Sequence, residues 1–146
     1  MRRSVRAATA GMVAAAAWVA VEPALRRSFG GPHRELRLIG RMLAPESAWL
    51  PVGLAVHLAN GALFGIAFER LGGRGVRSAV IAAQVENALL WPAMAVVDRL
   101  HPDVRSGVWP PLARNPRVIA QEVAGHAVFG AVLGGLLPGT PPHSLR

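Results

Sequence analysis

The chain has 146 residues, 52% of them hydrophobic, and its mean hydropathy is positive. This composition lies outside that of ordinary soluble domains and indicates a single membrane domain. The net charge of +8 would favour nucleic-acid binding in a soluble protein. Here the arginines flank apolar segments, so we expect contact with lipid and not with nucleic acid. The lack of cysteine excludes disulfides, thiolate metal sites and thiol catalysis.

Four apolar segments are long enough to cross the ~30 Å hydrocarbon core of a bilayer. These predicted spans cover about residues 7–25, 48–68, 76–97 and 118–137. The first span is the weakest of the four. Because three arginines precede it, as in a signal peptide, a cleavable signal peptide is the alternative for this segment. The sequence therefore predicts an all-α fold, a four-helix transmembrane bundle. Within the third span, Trp91-Pro92 predicts a kink near the end of the helix.

Two long segments, residues 26–47 and 98–117, connect the spans on the same side of the membrane. The first carries arginines opposite an apolar face, which favours a short amphipathic helix in the plane of the interface. An irregular loop is the alternative, because glycine and proline interrupt this segment. The tail, residues 139–146, is expected to be flexible.

The second and fourth spans share a stripe of histidine and glycine at four-residue spacing. The positions are His57, Gly61 and Gly65 in the second span and His126, Gly130 and Gly134 in the fourth. Residues four apart lie on one helix face, and glycines there let helices approach closely. We predict that these two spans pack directly against each other, and that the chain consists of two tandem two-helix hairpins. Chance similarity between helices rich in alanine and glycine is the alternative.

Five ionisable residues within the spans form the candidate functional cluster. They are Glu22, His57, Glu86, Glu122 and His126. A carboxylate at the bilayer centre costs at least ~2.5 kcal/mol, so such groups normally face the bundle interior and have partners there. Three interpretations stay open: the cluster stabilises the bundle, it handles protons near physiological pH, or it binds haem b or a divalent metal through His57 and His126.

Short motifs in the four spans carry a family resemblance. They are Ala10-Gly11 leading through Trp18 to Glu22-Pro23, then His57, Pro92, and Glu122-x-x-Gly125-His126. In these motifs the chain resembles the YagU-like family of small bacterial inner-membrane proteins. The resemblance implies a multi-pass inner-membrane protein without an established activity, associated with acid tolerance. Asn87 departs from the pattern, since a histidine is expected at that position.

We expect a non-enzymatic protein of the bacterial inner membrane whose Glu/His cluster responds to pH or handles protons, with a link to acid or envelope stress. No nucleophile elbow, phosphate-binding loop or dinucleotide motif is present. The alternative is a haem b- or metal-binding redox protein that uses His57 and His126; no cofactor is expected otherwise. Arginines are concentrated in the short segments on the amino-terminal side of the membrane, which favours a cytoplasmic location for both termini. The expected partners are the lipid bilayer and either a second copy or another membrane protein.

Overall fold

A computed structural model describes residues 2–139, and this part of the chain forms helices and turns without any β-strand. The predicted all-α bundle is confirmed. The helices are α1 (Arg2–Phe29), α2 (Glu35–Leu43), α3 (Trp49–Arg70), α4 (Gly75–Leu90), α5 (Met94–Leu100), α6 (Pro102–Arg105) and α7 (Pro116–Leu136). A 3-10 turn, Trp91–Ala93, joins α4 to α5 at the predicted kink. The predicted flexible tail lies, from residue 140 onward, outside the described residues.

Four helical stretches are long and apolar enough to cross a membrane. They are Arg2–Phe29, Trp49–Arg70, Gly75–Leu100 and Pro116–Leu136, so the third comprises α4, the 3-10 turn and α5. Large apolar side chains on these helices point outward; Leu63 is 65% exposed and Leu89 is 74% exposed. Exposure on this scale suits contact with lipid and not with water. The chain is accordingly a multi-pass membrane protein.

The spanning helices pack in the order α3, α1, α7, α4. The first helix contacts both α3 and α7, and α4 packs on the far side of α7. Neither α3 and α7 nor α3 and α4 pack extensively against each other. The prediction that the second and fourth spans pair directly was therefore wrong, because α1 lies between them.

The glycines of α3 face α1. A Cβ atom on Gly61 would lie 2.7 Å from the Cβ of Ala15, and one on Gly65 would overlap the backbone carbonyl of Ala7. On the opposite surface, a Cβ on Gly11 would overlap the carbonyl of Gly61. The two backbones are thus in direct contact, and only hydrogen fits at these positions.

The glycines of α7 face α4 in the same manner. A Cβ atom on Gly130 would lie 2.5 Å from the Cα of Val80, and one on Gly134 would overlap the backbone at Val76. Both predicted glycine stripes therefore mark close helix contacts, but with partners other than the ones expected from the sequence.

The segment between the first two spans contains the short helix that the sequence favoured, α2, and this helix packs on the beginning of α3. Gly53 allows this contact, because a Cβ there would overlap the carbonyl of Leu36. The first helix ends at Phe29, and the next residue, Gly30, has a φ of 68° that suits a residue without a side chain. At the start of α7, the Asn115 side chain accepts a hydrogen bond from the backbone N–H of Arg117 at 3.0 Å.

An ion-pair cluster connects α2 to α6 outside the spans. Asp103 is 3% exposed and accepts two hydrogen bonds from Arg37, at 2.6 and 3.0 Å. Arg37 also pairs with the exposed Glu46, and Arg41 lies 3.9 Å from Asp103. Burial alone would raise the pKa of Asp103, but the hydrogen bonds and positive charge of Arg37, with smaller contributions from His101 and Arg41, lower it below its ordinary value.

We predict that Gly61→Leu and Gly130→Leu each destabilise the detergent-solubilised protein by at least ~1–3 kcal/mol, because the added side chains meet backbone atoms. Thermal unfolding measures this loss. The controls are Ala62→Leu and Ala131→Leu, which change neighbouring, more accessible positions. Equal losses at all four positions would contradict the close contacts described above.

Asp103→Asn is predicted to destabilise the protein at neutral pH by about 1–3 kcal/mol, since Arg37 loses its buried charged partner. The pKa of Asp103 is lowered in the folded protein. The contribution of this ion pair to stability is therefore present above the ordinary Asp pKa and is lost as the pH falls through the lowered pKa. Unfolding measured between pH 6 and pH 3 should therefore show a weaker acid dependence in the variant. Glu46→Gln, at the exposed partner of the same arginine, serves as the control and should change stability little.

Candidate functional site

A cleft of about 180 Å³ lies between α3 and α4, with α1 and α7 as its floor. Its polar lining residues are Glu35, His57, Asn60, Glu86, Asn87, Glu122 and His126. At the end away from the long loops, Phe64 and Phe129 close the cleft with their ring centroids 5.2 Å apart. The cleft thus gathers ionisable groups from α2, α3, α4 and α7 within an otherwise apolar bundle.

The backbone fixes the orientation of the His57 ring. Its Nε2 lies 3.2 Å from the carbonyl oxygen of Ala15 on α1. A carbonyl only accepts hydrogen bonds, so Nε2 carries the proton of a neutral ring and Nδ1 presents a lone pair. That Nδ1 lies 3.7 Å from a carboxylate oxygen of Glu35 on α2. The imidazole is therefore held with its free nitrogen toward the cleft carboxylates.

His126 is held in a similar way. Its Nδ1 donates to the backbone carbonyl of Glu122, one turn earlier on α7, at 2.8 Å. The other nitrogen, Nε2, lies 3.9 Å from a carboxylate oxygen of Glu86 on α4. Glu86 keeps 38% of its side chain exposed, so this pair lies at the edge of the cleft.

Trp18 on α1 contacts both histidine rings. The ring centroids lie 5.4 Å from His57 and 4.5 Å from His126, in edge arrangements. Gly125 makes room for the indole, because a Cβ atom at that position would overlap the Trp18 ring. This contact explains the Gly125-His126 pair of the sequence motif. Gly125 leaves space for Trp18, and His126 packs against the Trp18 ring.

A second histidine–carboxylate contact joins the α1–α2 connection to α7. His33 is fully buried, and its Nε2 lies 2.7 Å from the Glu122 carboxylate. Burial alone would lower the pKa of His33, but the hydrogen bond to Glu122 and the negative charges of Glu122, Glu35 and Glu22 raise it above its ordinary value. The two side chains thus form a buried contact that is charge-assisted when the imidazole is protonated.

Three ligand-bearing side chains converge at this point. One ligand atom each from His33, Glu35 and Glu122 lies within 4.8 Å of the other two. Imidazole nitrogen and carboxylate oxygen are both good ligands for divalent transition metals. This group is the one in residues 2–139 that has the composition and spacing of a metal site.

The cleft is acidic although the chain as a whole is basic. Its surroundings contain four carboxylates, those of Glu22, Glu35, Glu86 and Glu122. Within the described residues, every ion pair of an arginine is made instead with Glu46, Glu69 or Asp103. Four carboxylates and three imidazoles without an arginine partner give an environment that favours a bound cation.

The five residues predicted from sequence all lie at or beside this cleft. Glu22 accepts a hydrogen bond from the backbone N–H of Glu35. Sequence reasoning missed His33 and Glu35. Both lie in the segment read as an interfacial helix, where a histidine and a glutamate two residues apart carry no recognisable site signal.

Beyond Phe64 and Phe129 the bundle interior is apolar. The buried side chains there include Phe68, Ala79 and Leu133. Every buried polar or charged side chain of residues 2–139 lies on the side of the long loops. The described groups therefore form a site at one depth and do not continue as a polar path across the bundle.

The haem alternative does not fit this geometry. A volume of about 180 Å³ is below the ~300–1,000 Å³ of pockets that hold drug-sized ligands. In addition, Nε2 of His57 is engaged with Ala15, and its Nδ1 faces Glu35. A small ion suits the cleft better than a porphyrin held between two imidazoles.

Gly125→Ala should displace Trp18 and destabilise the protein by about 1–3 kcal/mol, since a methyl group has no space beneath the indole. Near-UV circular dichroism should report the altered packing, and thermal unfolding the loss of stability. Gly135→Ala is the matched control on the same helix, where a Cβ atom meets nothing within 4 Å. A stable Gly125→Ala variant with an unchanged near-UV spectrum would contradict the contact.

Comparison of the chain with protein-family models, with curated proteins and with solved structures gave no match, so the candidate function rests on the geometry of the cleft.

Proposed function

We propose that the chain is a non-enzymatic, multi-pass membrane protein that binds one divalent metal ion through His33, Glu35 and Glu122. The observation that carries this proposal is the convergence of the three ligand atoms within 4.8 Å of one another. The carboxylate-rich surroundings, in which no arginine of residues 2–139 forms an ion pair with Glu22, Glu35, Glu86 or Glu122, support it, because a cation neutralises groups that are costly to bury unpaired.

A metal ion bound here would replace the direct contact between His33 and Glu122. In zinc sites nitrogen and oxygen ligands lie about 2.0–2.2 Å from the ion, so two ligands of one ion are separated by at most about twice that distance. The ligand atoms lie within 4.8 Å of one another, so the side chains must move closer together to bind one ion. One imidazole and two carboxylates suit Zn²⁺, Mn²⁺ or Fe²⁺ better than soft, thiolate-preferring ions.

The two histidines predicted from sequence act beside the ion in this proposal. The free Nδ1 of His57 lies 3.7 Å from Glu35, and Nδ1 of His126 donates a hydrogen bond to the backbone carbonyl of Glu122. Groups that hold metal ligands in place in this way affect metal affinity by about 10–100-fold.

The cellular setting is part of the proposal. The arginine distribution supports a bacterial inner-membrane protein with both termini in the cytoplasm, as does the motif-level resemblance to the YagU-like family. The tandem-hairpin repeat stays a prediction: α1 packs with α3 and α4 packs with α7, as two equivalent hairpins would, but α1 alone also contacts α7.

The pH response expected from the sequence acquires a physical basis here. Metal ligands must be deprotonated to bind, so protons compete with the ion for the same lone pairs. Metal occupancy should therefore fall in acid, which connects the cleft to acid stress without a proton path across the bundle.

We predict that the detergent-solubilised protein binds about one equivalent of Zn²⁺, measured by equilibrium dialysis with elemental analysis. Saturation at about 100 times Kd should stabilise the folded state by about 2.7 kcal/mol. Glu122→Gln and His33→Gln should each weaken binding by at least the ~10–100-fold that loss of an outer partner causes.

Glu46→Gln is the control, because it removes an exposed carboxylate 61% accessible to solvent and distant from the cleft. A wild-type protein that binds no Zn²⁺ refutes the proposal. Binding of equal strength in the wild type and in Glu122→Gln refutes the assigned ligand set.

A further inference from the structure

We infer that the metal site is entered sideways from the lipid bilayer, through the gap between α3 and α4, and takes the oxygen-bearing polar head of an amphipathic molecule. This inference rests on the proposed metal site. It adds a route of entry and a class of ligand.

The walls of the cleft leave one side open. The bundle core behind it consists of α1 and α7, and the phenyl rings of Phe64 and Phe129 close one end. At the other end Leu38 packs into an apolar cap beneath the long loops. That cap comprises Leu38, Trp109, Leu112 and Val118, with Trp91, Met94, Val97 and Val104 packed on it. Since α3 and α4 do not pack together, the remaining opening faces the surrounding lipid.

The mouth of the cleft is polar at a depth where the bilayer is not. Asn60 on α3 is exposed, and Asn87 and Glu86 on α4 are half-buried. Hydrocarbon offers no hydrogen-bond partner to such groups, and an unpaired amide in an apolar medium costs several kcal/mol. A polar head seated in the mouth supplies those partners.

The size and chemistry of the cleft restrict its occupant. About 180 Å³ holds a small polar head but not a helix of a second protein. Beside the mouth, Leu90 is 59% exposed and offers an apolar surface to an attached chain. Three protein ligands leave a coordination position open, which an oxygen of the head can fill. The geometry thus fits a molecule with its head on the ion and its chain in the bilayer.

The probes for this inference are two hydroxamates with the same metal-binding head, acetohydroxamate and dodecylhydroxamate. Binding to the Zn²⁺-loaded and metal-free protein in detergent is measured by calorimetry. We expect the long probe to bind the Zn²⁺-loaded protein at least tenfold more tightly than the metal-free protein. Asn87→Phe, which fills the mouth, should weaken this binding at least tenfold while leaving Zn²⁺ binding unchanged.

Leu89→Phe is the matched control. It adds the same ring two residues away, at a position that is 74% exposed and outside the cleft lining. Partitioning of the probe into detergent should therefore affect both variants equally. Equal weakening by the two variants, or no weakening by either, overturns lateral entry while the metal site stands. Failure of the wild type to bind Zn²⁺ overturns the metal site itself, and with it this inference.

Discussion

The close packing of α1 against two neighbours is the constraint on which the rest of the structure depends. Gly11 and the alanines near it bring α1 into backbone contact with α3, and Gly125 lets Trp18 reach into α7. Because α1 separates α3 from α7, these two helices do not form a closed seam, and a cleft remains between α3 and α4. The same contacts place the Ala15 carbonyl where it orients the ring of His57.

Charge is distributed in two separate systems. Outside the spans, Arg37 and Arg41 neutralise Asp103 and Glu46 and join the loop segments. Inside the cleft, carboxylates have imidazoles and backbone N–H groups as partners, and these neutralise them incompletely. As a result, a chain with a net positive charge has an acidic site in its interior. A protein that needed the cluster only for stability would gain more from an arginine, which is always charged, than from histidines.

The sequence was informative about spans and helix faces, and much less so about partners. Apolar length predicted the four spans, and four-residue spacing identified Gly61 and Gly130 as contact positions. The same spacing shows which helix face carries small residues but not which helix packs against that face. The wrong neighbouring helices were therefore predicted. His33 and Glu35 were missed because they reach the site through the turn after α1, and a turn brings residues together without any periodic signal.

The shallow burial of α4 also bears on how the bundle assembles. Only 6% of its spanning window is buried, against 50% for α7, and α7 is its main contact. Synthesis runs from the amino terminus, so α1 and α3 can pair early while α4 waits in the bilayer for a helix made some 25 residues later. Before α7 is inserted, Glu86 lacks its contact with His126, and α4 lacks its main packing partner. Insertion of α7 thus completes the cleft and packs α4 into the bundle in the same step.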